Sequence, residues 1–184
     1  MKLKTKQITF TAIMLALSIV VIFFIKKPLE IAGLNVALSG ALINLILILI
    51  VMYSGITSGI IASILIPILS FIITGAPIIS MAPLILPCIM LGNLVYIIFP
   101  FFVRSSKKEL NLLPLMLALG CIAKYFVMYF LIVKLVLPSA KIPAKLMTIA
   151  TIQYSTTQLV AGAVGAVLAI LIWPTTRLAV KHVK

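Results

Sequence analysis

The chain has 184 residues, of which 64% are hydrophobic and 9% are charged, whereas soluble domains are roughly 25% charged. Its net charge of +13 comes from 15 Lys and Arg against two Glu, and the basic residues lie mainly at the ends of apolar runs. This pattern excludes a soluble enzyme and a nucleic-acid-binding patch, and it predicts a protein that lies in a lipid bilayer.

Six apolar runs, each long enough to cross a bilayer as a helix, follow one another along the chain. They cover residues 8–25, 37–53, 55–73, 84–103, 112–137 and 149–173. Because six spans use most of the chain, residues 1–184 are predicted to form a single membrane domain. The expected fold is all-α, a bundle of six transmembrane helices.

The basic residues predict the orientation of this bundle, since cytoplasmic loops carry the excess of Lys and Arg. One side holds nine of them: Lys2, Lys4, Lys6, Arg104, Lys107, Lys108, Arg177, Lys181 and Lys184. The other side holds Lys26, Lys27, Lys141 and Lys145, with Lys134 near that edge. Both termini are therefore predicted to be cytoplasmic.

The loop after the third span, residues 74–83, is uncharged and rich in Pro and small residues. It either folds back into the membrane, where irregular backbone must be buried in protein or line a cavity, or lies as a plain apolar loop at the interface. In the sixth span Ala161, Gly165 and Ala169 recur at four-residue spacing, which predicts close approach of another helix.

Groups that carry catalysis are missing. The sequence has no pair of carboxylates for acid and base work, no His or Cys cluster with metal-ligand spacing, no nucleophile motif and no phosphate-binding Gly-rich loop. Glu30 and Glu109 are both predicted to lie in loops, whereas ion-driven transporters place acids inside the bundle. We therefore expect no enzyme activity, no metal and no cofactor, and uphill transport would take its energy from another polypeptide.

Lys124 lies near the middle of the fifth span, where a cation costs at least about 2.5 to 3.5 kcal/mol. No acid is predicted within the spans to pair with it. Three interpretations remain: the ammonium snorkels or deprotonates, it caps carbonyls of a broken helix, or it faces a pocket and meets an anionic substrate.

Other polar residues of the spans are candidates for the same pocket. Tyr125, Met128 and Tyr129 follow Lys124, although Tyr129 is equally suited to an interfacial belt. The first half of the sixth span is unusually polar: Gln153, Tyr154, Thr156, Thr157 and Gln158. Helical spacing predicts that only one pair, Gln153 with Thr157 or Tyr154 with Gln158, faces the pocket.

Asn44 and Asn93 either complete the site or only form hydrogen bonds between helices, and the second interpretation is favoured.

Three short segments resemble the substrate-binding S components of energy-coupling factor (ECF) transporters. They are Thr11-Ala12-Ile13-Met14-Leu15-Ala16-Leu17, the turn Ser54-Gly55-Ile56-Thr57-Ser58-Gly59, and Pro87-Cys88-Ile89-Met90-Leu91-Gly92-Asn93. The size and the six-helix layout are similar as well, so the resemblance covers the whole chain.

The resemblance implies a vitamin-uptake subunit of a prokaryotic plasma membrane. Its partners would be a transmembrane coupling subunit, on which Ala12 and Ala16 would dock, and two cytoplasmic ATPases. The outer halves of the last three helices would bind a vitamin-like small molecule. The first and third outer loops, residues 26–36 and 138–148, would cover it. The implied ligand contacts are Asn35, Asn93, Lys124, Tyr125, Met128, Gln153 and Thr157. A substrate that bears a carboxylate would suit Lys124 better than a cation.

Two other hypotheses fit the same composition. A self-contained facilitator or small-solute channel needs neither acids nor an ATP site, and it predicts transport by the purified chain alone. A non-transporting scaffold would use its polar residues only to join helices, and it predicts no stabilisation by a ligand.

Overall fold

The structure is a computed structural model that describes residues 5–31, 37–106, 108–140 and 142–181, without the side chains of residues 31 and 178–181. The described chain is 92% helical and contains no strand. Its helices are Thr5–Val21, Lys27–Ile31, Ala37–Ser54, Ile56–Thr74, Pro77–Met81, Ile85–Val103, Glu109–Met128, Leu137–Ser139, Ala144–Tyr154 and Thr156–Lys181. Two π-helical segments cover Ile22–Lys26 and Tyr129–Val136.

These elements combine into six spans that are long and apolar enough to cross a membrane. The spans are Thr5–Glu30, Ala37–Ser54, Ile56–Thr74, Ile85–Val103, Glu109–Ser139 and Ala144–Arg177. The predicted all-α bundle of six membrane helices is thus confirmed. Six crossings bring both ends of the described chain to one side, and the cytoplasmic identity of that side stays a prediction. We call the end of the bundle where the first span begins the proximal end, and the opposite end the distal end.

The first span extends past its predicted end at residue 25. The two lysines at Lys26 and Lys27 were expected to stop it, yet the helix continues through a π-helical turn to Glu30. The Lys26 ammonium reaches back into the bundle and donates a hydrogen bond to Ser70 Oγ at 2.5 Å. Because this ammonium has a hydrogen-bond partner on the third span, the helix does not have to end at Lys26 to expose the charge to water. The extension carries Glu30 one turn beyond Lys26.

The second span, Ala37–Ser54, is the centre of the bundle, with 67% of its residues buried. Its neighbour in the sixth span presents the predicted small residues. A Cβ added to Gly165 would lie 2.7 Å from Ala41 O, and one added to Gly40 would lie 3.0 Å from Ala161 Cβ. Only small side chains allow this approach, so the packing interpretation of the small-residue spacing is confirmed.

The second and third spans meet at the proximal end in a one-residue turn at Gly55, which has φ 94° and ψ −178°. Arg104, which follows the fourth span, closes this turn. Its guanidinium donates from Nε to Met52 O and from Nη2 to Tyr53 O, both at 2.7 Å. Burial lowers the pKa of Arg104 from its ordinary value, and Glu109 opposes this shift by its charge. Carbonyls at the end of the second span are thereby satisfied.

Glu109 was expected in a loop, but it begins the fifth span and is buried, with only 4% of its surface exposed. Trp173 Nε1 donates to Glu109 Oε1 at 2.6 Å, and Arg177 Nε lies 3.6 Å from Oε2. The prediction was wrong because these sixth-span partners let the carboxylate enter the bundle. The cluster lies at the proximal end and joins the last two spans.

The loop of residues 74–83 folds over the distal end. It contains the short helix Pro77–Met81, and Ala76, Ile78, Ile79 and Ala82 are buried. They pack in one apolar cluster with residues of the fifth and sixth spans, including Leu137 and Ala150. Part of the loop thus packs on the bundle, while Gly75, Pro77, Ser80, Met81 and Pro83 are exposed, and its depth in the membrane stays a prediction.

Candidate functional site

A polar cavity opens in the distal half of the bundle. Residues of all six spans line it, and Ile79 of the loop helix adds to its wall. Its volume is about 90 Å³, below the roughly 300 to 1,000 Å³ of pockets that enclose drug-sized ligands, so a ligand of that size would enter only if the cavity widened. The polar lining residues are Lys26, Glu30, Ser39, Asn44, Ser70, Asn93, Lys124, Gln153, Tyr154, Thr157 and Gln158.

Lys124 is the deepest charged group of this cavity, at the middle of the span Glu109–Ser139. Its side chain is 3% exposed. The ammonium donates to Asn44 Oδ1 at 2.7 Å and to Asn93 Oδ1 at 2.9 Å, and it lies 5.2 Å from the centre of the Tyr96 ring. Its partners are side-chain amides of two other spans, so Lys124 does not cap backbone carbonyls of a broken helix.

The charge of Lys124 lacks a counter-ion within the described chain, where no carboxylate forms an ion pair with it. Amide oxygens stabilise an ammonium by hydrogen bonds but do not neutralise it. Two of its three N–H groups bond to Asn44 and Asn93, and the third has no hydrogen-bond acceptor among the described residues. Lys124 is therefore suited to hold an anionic group in the cavity.

Asn44 supplies a second donor at the same place. Since its Oδ1 accepts from Lys124, its orientation is fixed and its NH₂ group points elsewhere. That Nδ2 atom is buried and has no hydrogen-bond partner among the described residues. A buried donor without a partner costs about 1 to 3 kcal/mol, which an acceptor on a bound molecule would recover. The floor of the cavity is therefore rich in donors.

The mouth of the cavity carries opposite charges. Lys26 and Glu30 lie four residues apart on the extension of the first span, and both line the cavity. The Lys26 ammonium bonds to Ser70, whereas Glu30 Oε2 is buried without a hydrogen-bond partner in the described chain. The mouth thus offers a free carboxylate oxygen, an acceptor, above the donors of the floor.

The sixth span lines the cavity with both of its polar pairs, although only one was expected to do so. Gln153, Tyr154, Thr157 and Gln158 all contribute to the wall. The span is broken at Ser155, whose φ −116° and ψ −97° are not helical. The expectation was wrong because the four positions span only about 140° of the helix circumference, an arc that one cavity can contact.

The structure brings four of the seven predicted ligand contacts together, namely Asn93, Lys124, Gln153 and Thr157. Met128 is fully buried and fills the space beside Gly92, where an added Cβ would lie 2.6 Å from Met128 Cγ. Tyr125 stacks on Tyr129 with ring centres 5.8 Å apart. Neither Met128 nor Tyr125 lines the cavity, because one packs between helices and the other is turned about 100° from Lys124. Asn35 lies outside the described residues.

Ala12 and Ala16 of the first span are exposed on the outer surface of the bundle. The same span turns Thr11 and Ser18 inward, where both are buried. Large apolar residues beside the two alanines, Ile13 and Leu17, are also exposed. The docking role predicted for the alanines stays a prediction.

Several residues of the cavity were missed or set aside in the sequence. Asn44 was favoured as a hydrogen-bonding link between helices. It forms such a link with Lys124, but it also lines the cavity. Lys26 and Glu30 were assigned to a loop because charge usually ends a span. Their spacing of four residues, which is one helical turn, was the available signal that they share a helix face.

The whole arrangement places donors at the floor, Lys124 and Asn44, and a free carboxylate oxygen at the mouth, on Glu30. Such a cavity suits a small polar molecule that presents an acidic or carbonyl group inward. Neither models of protein families, nor curated proteins, nor solved structures match this chain.

Proposed function

We propose that this chain is the substrate-binding S subunit of an ECF-type importer in a prokaryotic plasma membrane. Its substrate would be a vitamin or similar micronutrient, one that bears a carboxylate. The importer would include a transmembrane coupling subunit and two cytoplasmic ATPases, which supply the energy.

The observation that carries this proposal is the buried ammonium of Lys124 at the floor of a polar cavity. Two amide oxygens hold it at 2.7 and 2.9 Å, and no carboxylate within the described chain pairs with it. A group that only joined helices would be expected to have all of its donors satisfied, whereas Asn44 Nδ2 has no hydrogen-bond partner among the described residues and Lys124 uses two of its three N–H groups there. Carboxylates such as niacin, pantothenate or biotin suit this floor better than cationic thiamine, because an unpaired cation repels another.

The surface of the first span supports a separate docking role. Ala12 and Ala16 lie one helical turn apart and are exposed, so a partner helix can approach this strip closely. The strip and the cavity use different residues, which lets binding and docking be altered independently.

A thermal-shift screen of the detergent-purified protein tests the proposal. The panel contains niacin, pantothenate, biotin, riboflavin, thiamine, pyridoxine, folate and lipoate. A ligand present at about 1,000 times its dissociation constant stabilises the folded protein by about 4 kcal/mol, so a true substrate gives a clear shift. Absence of a shift with every compound would contradict the proposal and favour a scaffold. Transport by the purified chain alone, without ATPases, would instead indicate a facilitator.

A further inference from the structure

A second polar group of the cavity, the carboxylate of Glu30, is not explained by an anionic ligand alone. Its Oε2 atom is buried and lacks a hydrogen-bond partner within the described residues. The neighbouring cation of the first span attracts Glu30 electrostatically, but it donates no hydrogen bond to Oε2, since Lys26 Nζ bonds to Ser70 Oγ. A buried carboxylate oxygen without a donor is costly, so a donor on a bound molecule would be favourable here.

The formal charge of the cavity determines whether that donor is charged or neutral. Among the described residues that line it, Lys26 and Lys124 are basic and Glu30 is acidic. One ligand carboxylate balances this set, whereas a zwitterion or a cation leaves an excess of positive charge in a poorly solvated space. The group that meets Glu30 is therefore a neutral N–H or O–H.

The helix rise gives the approximate depth of the cavity floor, and with it an upper scale for the spacing between the two ends of the ligand. Asn44, which marks the floor, lies seven residues after the start of the second span at Ala37. Seven residues of α-helix correspond to roughly 10 Å, which is the depth of the floor below the level at which the second span begins. Glu30 ends the first span at the same end of the bundle.

We infer that the ligand is a monocarboxylate that also carries a neutral N–H or O–H donor about 10 Å or less from its carboxylate. The carboxylate accepts from Lys124 and Asn44, and the donor bonds to Glu30 Oε2. This inference rests on the proposed function and narrows its substrate class.

Matched carboxylates test it on the wild-type protein. Biotin and lipoate both carry a five-carbon acid chain on a sulfur-containing ring, but only biotin has ureido N–H donors. Pantothenate has hydroxyl and amide donors, and niacin has none. We expect biotin or pantothenate to raise the unfolding temperature, and we expect lipoate and niacin at the same concentration to leave it unchanged.

Glu30→Gln provides the second measurement, because it removes the charge and keeps the size of the side chain. We expect it to weaken binding of the stabilising compound by about tenfold or more, as loss of a hydrogen bond to a charged group predicts. Glu109→Gln is the matched control, since Glu109 is the only other acid of the chain and lies at the proximal end. It should leave the dissociation constant unchanged.

Two results would overturn the inference. The first is that lipoate or niacin stabilises wild type as strongly as biotin or pantothenate does, and stabilises Glu30→Gln equally well. The ligand's N–H or O–H donor is then not used, while the S-subunit proposal stands. If none of the four carboxylates gives a shift, the ligand is not of this class, and the S-subunit proposal depends on the other four compounds of the panel. Should Glu30→Gln fail to fold, the comparison of biotin with lipoate on wild type decides.

Discussion

At the scale of single residues, the position of Lys124 determines what the molecule can bind. An ammonium at the middle of a span is expensive to bury, and its amide partners Asn44 and Asn93 satisfy its N–H groups without neutralising its charge. Under the proposed function, the remaining positive charge makes the site selective for an anion. A carboxylate built into the protein at the same place should therefore compete with the ligand.

Replacing Asn44 by Asp supplies such a carboxylate within reach of the ammonium. We expect Asn44→Asp to fold, because it converts a hydrogen bond of 2.7 Å into an ion pair. It should weaken binding of a carboxylate ligand by about tenfold or more, since the site loses its net charge and an N–H donor. Isothermal titration of the purified protein measures this effect.

Asn111→Asp is the control for that substitution, because Asn111 lies exposed near the start of the fifth span and outside the cavity. It should bind ligand as wild type does. Undiminished binding by Asn44→Asp would show that the ligand does not meet Lys124.

At the scale of elements, the cavity depends on departures from regular helix that an apolar pattern does not reveal. Hydropathy placed the second, third and fourth spans within a residue or so, because their ends coincide with Gly, Pro or charge. It did not reveal the break at Ser155 or the π-helical turn before Glu30, because local backbone geometry does not change mean hydropathy. The extension beyond that π-helical turn brings Glu30 to the cavity.

The turn at Gly55 should be sensitive to substitution. Its φ of 94° with ψ −178° belongs to a region that essentially only glycine adopts. An added Cβ would also lie 2.9 Å from Arg104 Nη1, on the guanidinium that holds the turn. We expect Gly55→Ala to destabilise the protein by about 1 to 3 kcal/mol, measured as a lower unfolding temperature in detergent.

Gly75→Asn is the matched control at the other glycine with positive φ in the described chain. Gly75 has φ 62° and ψ 31°, a left-handed conformation that Asn tolerates, and an added Cβ meets no atom within 4 Å. It should unfold close to wild type. If both variants unfold alike, the Gly55 backbone is not constrained as described.

At the scale of the whole molecule, the bundle separates the cavity at its distal end from the exposed strip of Ala12 and Ala16 on the first span. The six-helix architecture was predictable from the sequence because each span is a long apolar run. Of the cavity floor only Lys124 was predictable as a site residue, because a lysine in mid-span is costly to bury, whereas Asn44 was favoured as a link between helices. The mouth was not, because the partner of Lys26 is Ser70, 44 residues away, and only the packed structure brings them together.

Ala12→Trp tests this separation. An indole on the strip should block the close approach of a partner helix, so we expect loss of assembly with the coupling subunit and loss of vitamin uptake. Ligand binding by the isolated chain should be unchanged, because Ala12 does not line the cavity. Co-purification and cellular uptake measure the two effects.

Val167→Trp is the control for a bulky side chain on an exposed apolar surface. Val167 of the sixth span is 55% exposed, and this variant should assemble and support uptake. Normal assembly of Ala12→Trp would exclude the alanine strip as the docking surface.

The most direct test of the anion-binding cavity is the dissociation constant of the stabilising compound, measured for wild type and for Lys124→Met, with Lys134→Met as control. Lys134 belongs to the same span, is exposed and lies outside the cavity. We predict at least about tenfold weaker binding for Lys124→Met, because the cation that would meet the carboxylate is gone. Lys134→Met should bind normally. Equal dissociation constants for wild type and Lys124→Met would contradict the anion-binding cavity.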